Sequence, residues 1–152
     1  MPTLVVRYVR NTIFMPTFEN PTPDELATVA QLRASLRSFA AATAEVAARH
    51  QLTPRQYELC LLIASAPDQL TGRDVAEALH LSANTASELI SRAEQEGLVK
   101  RGTSTRDTRL KPLALTAEGR RRFLATFNDL RPVRARLLAI LQESVSLASR
   151  LV

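Results

Sequence analysis

Two helix-start signals only eleven residues apart constrain the fold of this chain more than any other feature. Thr71 and Ser82 each precede a helix-like segment, and a hydroxyl at that position accepts a hydrogen bond from the first free N–H groups of a helix. The segment between them has room for about two helical turns. Residues 71–81 therefore predict a short helix and a tight turn. Residues 83–96 predict a second helix, which Gly97 ends.

A pair of strands is predicted directly after these two helices. Residues 98–101 and 110–115 have the apolar character and the alternation of short strands, and they flank the polar tip GTSTRDTR (102–109). Two short helices followed by a hairpin make a winged helix-turn-helix. In that arrangement Ala76 is small where the two helices pack together, and Leu81 fills the turn between them.

Longer helices are predicted on both sides of this unit. TPDE (22–25) and TPRQ (53–56) begin helices that extend to about Arg49 and to Pro67, because a capping Thr and a Pro in the first turn favour a helix start. Thr116 begins a helix over 117–130, and Pro132 either interrupts it or starts a last helix over 133–152. The fold class is therefore mainly α with a small β-hairpin wing, and residues 1–21 form an irregular leader.

The positive charge of the chain is concentrated in one stretch. The net charge is +5, yet residues 98–136 carry 11 basic and 3 acidic side chains, whereas residues 19–97 carry 6 basic and 11 acidic ones. Such a basic stretch is typical of nucleic-acid binding, although a solvated helix face near RRRF (120–123) would give the same count. Eighteen of the twenty basic residues are Arg, which either suits contacts to phosphates and bases or reflects a GC-rich genome.

Several classes of protein are disfavoured by the composition. No apolar run approaches the roughly 18 residues of a membrane span, and we expect a cytoplasmic protein without a secretory signal. Cys60 is the one cysteine and is expected to be buried among leucines, and neither His50 nor His80 has ligands at metal-binding spacing. With four glycines and no catalytic constellation, we expect no enzyme, no metal and no cofactor.

The predicted second helix of the helix-turn-helix carries the candidate DNA-reading side chains. Its polar face can enter the major groove, where Asn and Arg make paired hydrogen bonds to adenine and guanine edges. The hairpin adds arginines that can reach phosphates or a narrow minor groove. The candidates on the helix are Ser82, Asn84, Thr85, Ser87, Glu88, Ser91 and Arg92, and those on the hairpin are Arg101, Arg106 and Arg109.

Residues 52–119 resemble the DNA-binding core of the MarR family of bacterial transcriptional regulators. The resemblance rests on LTPRQYELCLLIA (52–64), on LSANTASELISRAEQEGLVKR (81–101) and on D-x-R-x-x-x-L-x-L-T-x-x-G over 107–119. It implies a homodimeric regulator, expected to be a repressor, that binds a pseudo-palindromic operator in double-stranded DNA. Residues 22–50 and 118–152 would then be dimerisation helices around a DNA-binding domain at 51–117, with a recognition helix at 82–96 and a wing at 98–115. It also implies that Arg109 enters the minor groove and that Asp107 orients it.

Two residues depart from the pattern of this family. Thr108 stands where the wing often has a second Arg, and Glu88 places a carboxylate on the face expected to meet DNA. Glu88 either accepts a hydrogen bond from cytosine N4 or pairs with Arg92 one turn later, and we favour the pairing. Together with the acidic 19–97 region, these residues keep open a second hypothesis, a dimeric winged-helix protein that regulates a partner protein instead of DNA.

A small-molecule effector is a further expectation from the resemblance. Many members of the family bind small aromatic or phenolic anions between the dimerisation helices and the DNA-binding domain. Phe39, Arg49, His50 and Tyr57 could line such a crevice. The same residues also fit an ordinary role, with the two aromatic side chains in the core and Arg49 at a helix end, and we favour that role.

The wing arginine provides the first testable prediction. Arg109→Ala should weaken operator binding by about 1–3 kcal/mol if the side chain reads a base. If the side chain contacts a phosphate, the slope of log binding constant against log salt concentration should become shallower by about one. Binding titrations at several salt concentrations distinguish the two outcomes. If the affinity and the salt slope both equal those of the parent protein, the wing does not take part in DNA recognition.

Overall fold

The computed structural model describes residues 20–66, 70–102 and 112–148, with side chains through residue 142. Within these ranges it is mainly helical with one antiparallel hairpin, as the sequence predicts. The helices are α1 (Pro23–Arg49), α2 (Pro54–Ser65), α3 (Gly72–Ala78), α4 (Ala83–Gln95), α5 (Ala117–Asp129) and α6 (Arg131–Ala148). The strands are β1 (Val99–Arg101) and β2 (Leu113–Leu115).

Capping hydroxyls fix the starts of α1 to α5. Thr22, Thr53 and Thr71 form complete capping boxes with Glu25, Gln56 and Asp74. Ser82 accepts a hydrogen bond from the Thr85 N–H, and Thr116 accepts one from the Gly119 N–H. These bonds satisfy backbone donors that a helix start otherwise leaves free, so local sequence defines where each helix begins.

The ends of α1, α3 and α4 share one geometry. In each, a residue with positive φ ends the helix, and the following leucine turns back to donate its N–H to an alanine carbonyl five residues earlier. The positive-φ residues are Gln51, His80 and Gly97, and the donor–acceptor pairs are Leu52–Ala47, Leu81–Ala76 and Leu98–Ala93. Each helix thus ends abruptly, which permits the tight turn between α3 and α4.

The carbonyl group of Leu98 is the point at which four elements meet. Leu98 follows α4 and precedes β1, and its carbonyl oxygen accepts the Thr116 N–H at 3.0 Å, where β2 ends and α5 begins. The Thr116 hydroxyl also donates to the carbonyl of Gly97. Gly119 lies against the same backbone, and a Cβ there would be 1.9 Å from the Leu98 oxygen. The Thr-x-x-Gly that ends the motif over 107–119 therefore reflects a close approach of α5 to the end of α4.

One apolar core joins the helix-turn-helix to α2, the hairpin and α5. Its fully buried large side chains include Leu59, Ile63, Ile90, Leu98, Leu113 and Leu130. β1 pairs with β2 so that Lys100 lies opposite Ala114, and the Leu113 N–H also donates to the Leu70 carbonyl at 2.8 Å. The hairpin is therefore hydrogen-bonded on both edges of β2, and its base is fixed relative to α3.

The structure also decides between the two interpretations of Pro132. Leu130 ends α5, and α6 begins at Arg131 with Pro132 in its first turn, so the proline starts a new helix. The second strand begins at Leu113, so Pro112 of the predicted strand 110–115 is not part of it, and residues 110–111 lie outside the described ones. Within the described ranges, no helix has the combination of length and apolarity that a membrane crossing requires.

The close approach at Gly119 predicts a sharp difference between two glycines. Gly119→Ala should lower the free energy of unfolding by about 2–4 kcal/mol, because the added methyl group meets backbone that cannot move aside cheaply. Gly72→Ala is the matched control, since its Cβ would meet only Ile90 Cδ1 at 3.5 Å. Chemical denaturation measures both variants, and equal effects would contradict the described packing of α5.

Candidate nucleic-acid interface

The predicted DNA-reading residues of α4 lie on one accessible face of the helix. Ser82, Asn84, Thr85, Ser87, Glu88 and Arg92 are exposed, and Ser91 is half-buried. The opposite face is apolar and buried, and consists of Ala86, Ile90 and Ala93. Because the buried stripe fixes the rotation of α4 about its axis, the polar side chains are held in a constant orientation toward solvent.

Some of these polar groups already have partners within α4. The Ser82 and Thr85 hydroxyl oxygens are 2.9 Å apart, and Ser82 also accepts the Thr85 N–H at 3.1 Å. Glu88 Oε2 lies 3.9 Å from Arg92 Nη2, with both side chains largely exposed, which is the pairing favoured from the sequence. An exposed pair at that distance is worth little, so both side chains can rearrange at low cost when a ligand approaches.

A hydrogen bond between the side chains of Gln56 and Glu96 holds the C-terminal end of α4. The buried Gln56 donates from Nε2 to Glu96 Oε2 at 2.8 Å, while its Oε1 accepts the Thr53 N–H at 2.9 Å. The amide group therefore caps α2 and links that cap to the end of α4. The sequence predicts Gln56 as part of a helix start. It does not predict the contact with Glu96, because the two residues are 40 positions apart.

Arg101 forms an ion pair that the sequence analysis did not predict. Its Nε lies 3.0 and 3.2 Å from the two carboxylate oxygens of Glu94. The pair spans the turn between α4 and β1, so it connects α4 to the hairpin. Arg101 can contact DNA only by sharing or leaving this carboxylate. The other hairpin candidates, Arg106, Asp107 and Arg109, lie outside the described residues.

The four crevice candidates are not brought together around one cavity. Phe39 lies in a groove between α1 and α6, whereas Tyr57 is buried and stacks on Phe123 at a centroid distance of 5.9 Å. Arg49 is exposed and bonds to Glu45 one turn earlier. His50 Nε2 lies 2.8 Å from an Asp129 carboxylate oxygen, which ties the end of α1 to the end of α5. Each residue thus has a separate structural environment.

Aromatic packing surrounds Tyr57 instead. Phe123 contacts both Tyr57 and Phe127, and the Arg134 guanidinium lies 3.8 Å from the centroid of the Phe127 ring. Burial raises the pKa of the Tyr57 hydroxyl above its ordinary value, although Arg134 opposes the shift. The neutral phenol is therefore the form present at physiological pH. This cluster packs α2 against α5 and the start of α6.

Cys60 lies in the core and is fully buried. Removal from water raises the pKa of its thiol to about 12, because the thiolate cannot be solvated there. Among the described residues, no three His, Cys, Asp or Glu side chains are grouped as metal ligands. The polar surface of α4 therefore remains the main candidate site in the described part of the chain.

Comparison with known proteins supports the resemblance seen in the sequence. Residues 50–110 match the sequence model of the MarR family. No curated protein matches the chain in sequence. Solved structures with the same winged-helix fold include a MarR family transcription regulator, SP03579, which is 24% identical, with 84% of this chain and 83% of that one covered and a TM-score of 0.63.

Two further solved structures were determined with ligands. The Staphylococcus aureus MepR–DNA complex is 22% identical with a TM-score of 0.63, and CouR from Rhodococcus jostii RHA1 bound to p-coumaroyl-CoA is 22% identical with a TM-score of 0.67. In both, 86% of this chain and 94% of the other are covered. At 22% sequence identity, the similarity to these two proteins shows that this chain shares their fold.

The environment of Cys60 predicts an unreactive thiol. A pKa near 12 lowers the thiolate fraction roughly a thousandfold relative to a free cysteine, and burial also excludes the reagent. Alkylation by iodoacetamide at pH 8 should therefore be at least about a hundredfold slower in the native protein than in guanidinium. The Ser87→Cys variant, with an added thiol on the exposed face of α4, is the control and should react rapidly. Fast modification of native Cys60 would contradict the described core.

Proposed function

We propose, on the match of residues 50–110 to the MarR family and on the exposed polar face of α4, that the protein is a sequence-specific DNA-binding transcriptional regulator. In this proposal α4 enters the major groove as the recognition helix, and the hairpin contacts the adjacent backbone or minor groove. Asn84 and Arg92 carry the base contacts, since amide and guanidinium groups form paired hydrogen bonds with base edges. The observation that carries the proposal is the constant outward orientation of these side chains above a buried apolar stripe.

The proposal includes a homodimer on a pseudo-palindromic operator. In the single chain, Leu26, Val29, Leu36 and Leu138 are between 47% and 59% exposed on α1 and α6. Exposed leucines and valines concentrated on two long helices favour contact with another helical surface. A second copy of α1 and α6 supplies such a surface, and a two-fold dimer would present two α4 helices to successive major grooves.

Repression with release by a small aromatic or phenolic ligand completes the proposal. A ligand that favours a dimer with the wrong spacing between its two α4 helices would shift the population away from DNA. Nearly complete release requires a preference of about 5 kcal/mol for that state. The solved relative CouR was bound to p-coumaroyl-CoA, and the extension of such ligand binding to this chain is part of the proposal.

DNA binding is tested with two variants on different surfaces. Asn84→Ala should weaken binding to the specific site by about 1–3 kcal/mol, because a base contact is lost. Asn128→Ala makes the same change on the exposed face of α5, outside α1, α4 and α6, so it is the matched control and should leave affinity unchanged. Gel-shift titrations against the upstream region of the protein's own gene and against genomic fragments measure both. If no natural fragment gives a salt-dependent complex, the alternative of a dimeric regulator of a partner protein is favoured.

A further inference from the structure

The buried side chain of Gln56 differs from its counterparts in the other two capping boxes. In the boxes of α1 and α3, Glu25 and Asp74 accept the N–H of the capping residue through a carboxylate oxygen. A carboxylate suits a helix start, because the N-terminal end of a helix carries partial positive charge. In α2 the same position holds a neutral amide, and residues 54–57, the first turn of this helix, include no acid.

An amide at this position does what a carboxylate cannot do, since it accepts and donates at once. The Oε1 atom of Gln56 accepts the Thr53 N–H, and Nε2 is thereby directed at Glu96 Oε2, 2.8 Å away. Only 4% of Gln56 is exposed, so an unpaired amide there would be costly. The two partners therefore account for both the identity and the orientation of the amide group.

The carboxylate of Glu96 lies where its own helix disfavours it. Glu96 is the C-cap residue of α4, at the negative end of the helix dipole. The start of α2 compensates for this placement, because Gln56 binds the carboxylate at a positive helix end that has no acid in its own first turn. The Gln56–Glu96 link thus joins the end of α4 to the start of α2 through opposite partial charges and a hydrogen bond.

The turn between α1 and α2 lies at the other end of this link. α1 ends and α2 begins around residues 50–53, and Thr53 is the capping residue that Gln56 contacts. The Gln51 carbonyl in the same turn accepts a hydrogen bond from Arg122 of α5 at 3.3 Å, so the turn is also held from α5. A continuous set of contacts therefore connects the end of α1 to the end of α4.

We propose that Gln56 is a positioning residue for α4, which it holds through Glu96 at a fixed inclination to the turn between α1 and α2. The inference rests on the proposed function, in which the inclination of α4 decides whether its side chains meet base edges. Without the link, α4 stays folded above its buried apolar stripe but can tilt. Hydrogen bonds to bases weaken steeply with misalignment, whereas the attraction between cations and phosphates depends little on it. Loss of the link therefore reduces specific binding much more than binding to random DNA.

Gln56→Glu removes the link and keeps the helix start. The new carboxylate still accepts the Thr53 N–H, as in the other two boxes, but it cannot donate to Glu96. A hydrogen bond to a charged group corresponds to at least about a tenfold change in an equilibrium constant, and apparent affinity falls with the fraction of protein in the competent state. We expect affinity for the specific site to fall at least about tenfold and affinity for random DNA to fall no more than about twofold.

Three further variants separate positioning from stability and from charge. Glu96→Ala removes the link from its exposed side and should give the same split, also if Gln56→Glu fails to fold. The double variant Gln56→Glu/Glu96→Gln reverses donor and acceptor, and should restore specific affinity to within about threefold of the parent. Gln95→Glu is the matched control, because it adds the same charge at the neighbouring exposed position of α4 and should leave the ratio of specific to random binding unchanged.

A distance measurement tests the link without DNA. Spin labels on Ser87→Cys in α4 and on Asn128→Cys in α5 report their separation by pulsed EPR in a sample diluted with unlabelled protein, and the buried Cys60 does not take the label. We expect one narrow distribution in the parent and in the double variant, and a broader one in Gln56→Glu.

An unchanged distribution in Gln56→Glu, an equal loss of specific and random binding, or a double variant that stays impaired would each overturn the proposal. A broadened distribution in a protein that binds no DNA would support the link and contradict the proposed function, so the two failures are distinguishable.

Discussion

The hydrogen bonds at the Leu98 carbonyl are the constraint on which the arrangement of the helix-turn-helix, the hairpin and α5 depends. At this point α4 has just ended, β1 begins, β2 returns and α5 starts, so one peptide group determines the relative position of four elements. Gly97 permits the turn through its φ of 69°, and Gly119 permits the approach of α5 through its lack of a side chain. Binding surfaces built on such rigidly joined elements are more precise than surfaces built on free loops.

The hairpin that leaves this junction separates two kinds of positive charge. Because successive residues of a strand point to opposite faces, Arg101 turns toward Glu94 of α4, and Lys100 turns toward the open groove lined by α2, the hairpin and α5. Glu118 then pairs with two of the three consecutive arginines and leaves Arg120 on the groove side. The positive charges of this stretch are thus divided between a side chain held against α4 and side chains that line the groove.

Sequence was informative wherever the cause of a structure is local. Helix starts at Thr22, Thr53 and Thr71 follow from side chains three residues apart, and so could be predicted to the residue. The positive φ of Gln51 and His80 could not, since neither is a glycine and the conformation depends on Leu52 and Leu81 packing beneath the turn. The Glu94–Arg101 pair and the His50–Asp129 contact join separate elements, so no local sequence pattern predicts them. The crevice proposed for Phe39, Arg49, His50 and Tyr57 stays a prediction, and among the described cavities only Phe39 of these four lines one.

The position of α4 on bound DNA tests the proposed recognition most directly. A DNA-cleaving iron chelate attached to the Ser87→Cys variant reports where the exposed face of the helix lies, and the buried Cys60 does not compete for the reagent. If α4 is the recognition helix, we expect two clusters of cuts, one for each subunit of a dimer, with centres about 10 base pairs apart or a multiple of that. Cleavage spread evenly along the DNA, or its absence from a fragment that the protein binds, would contradict the assignment of α4 as the reading helix.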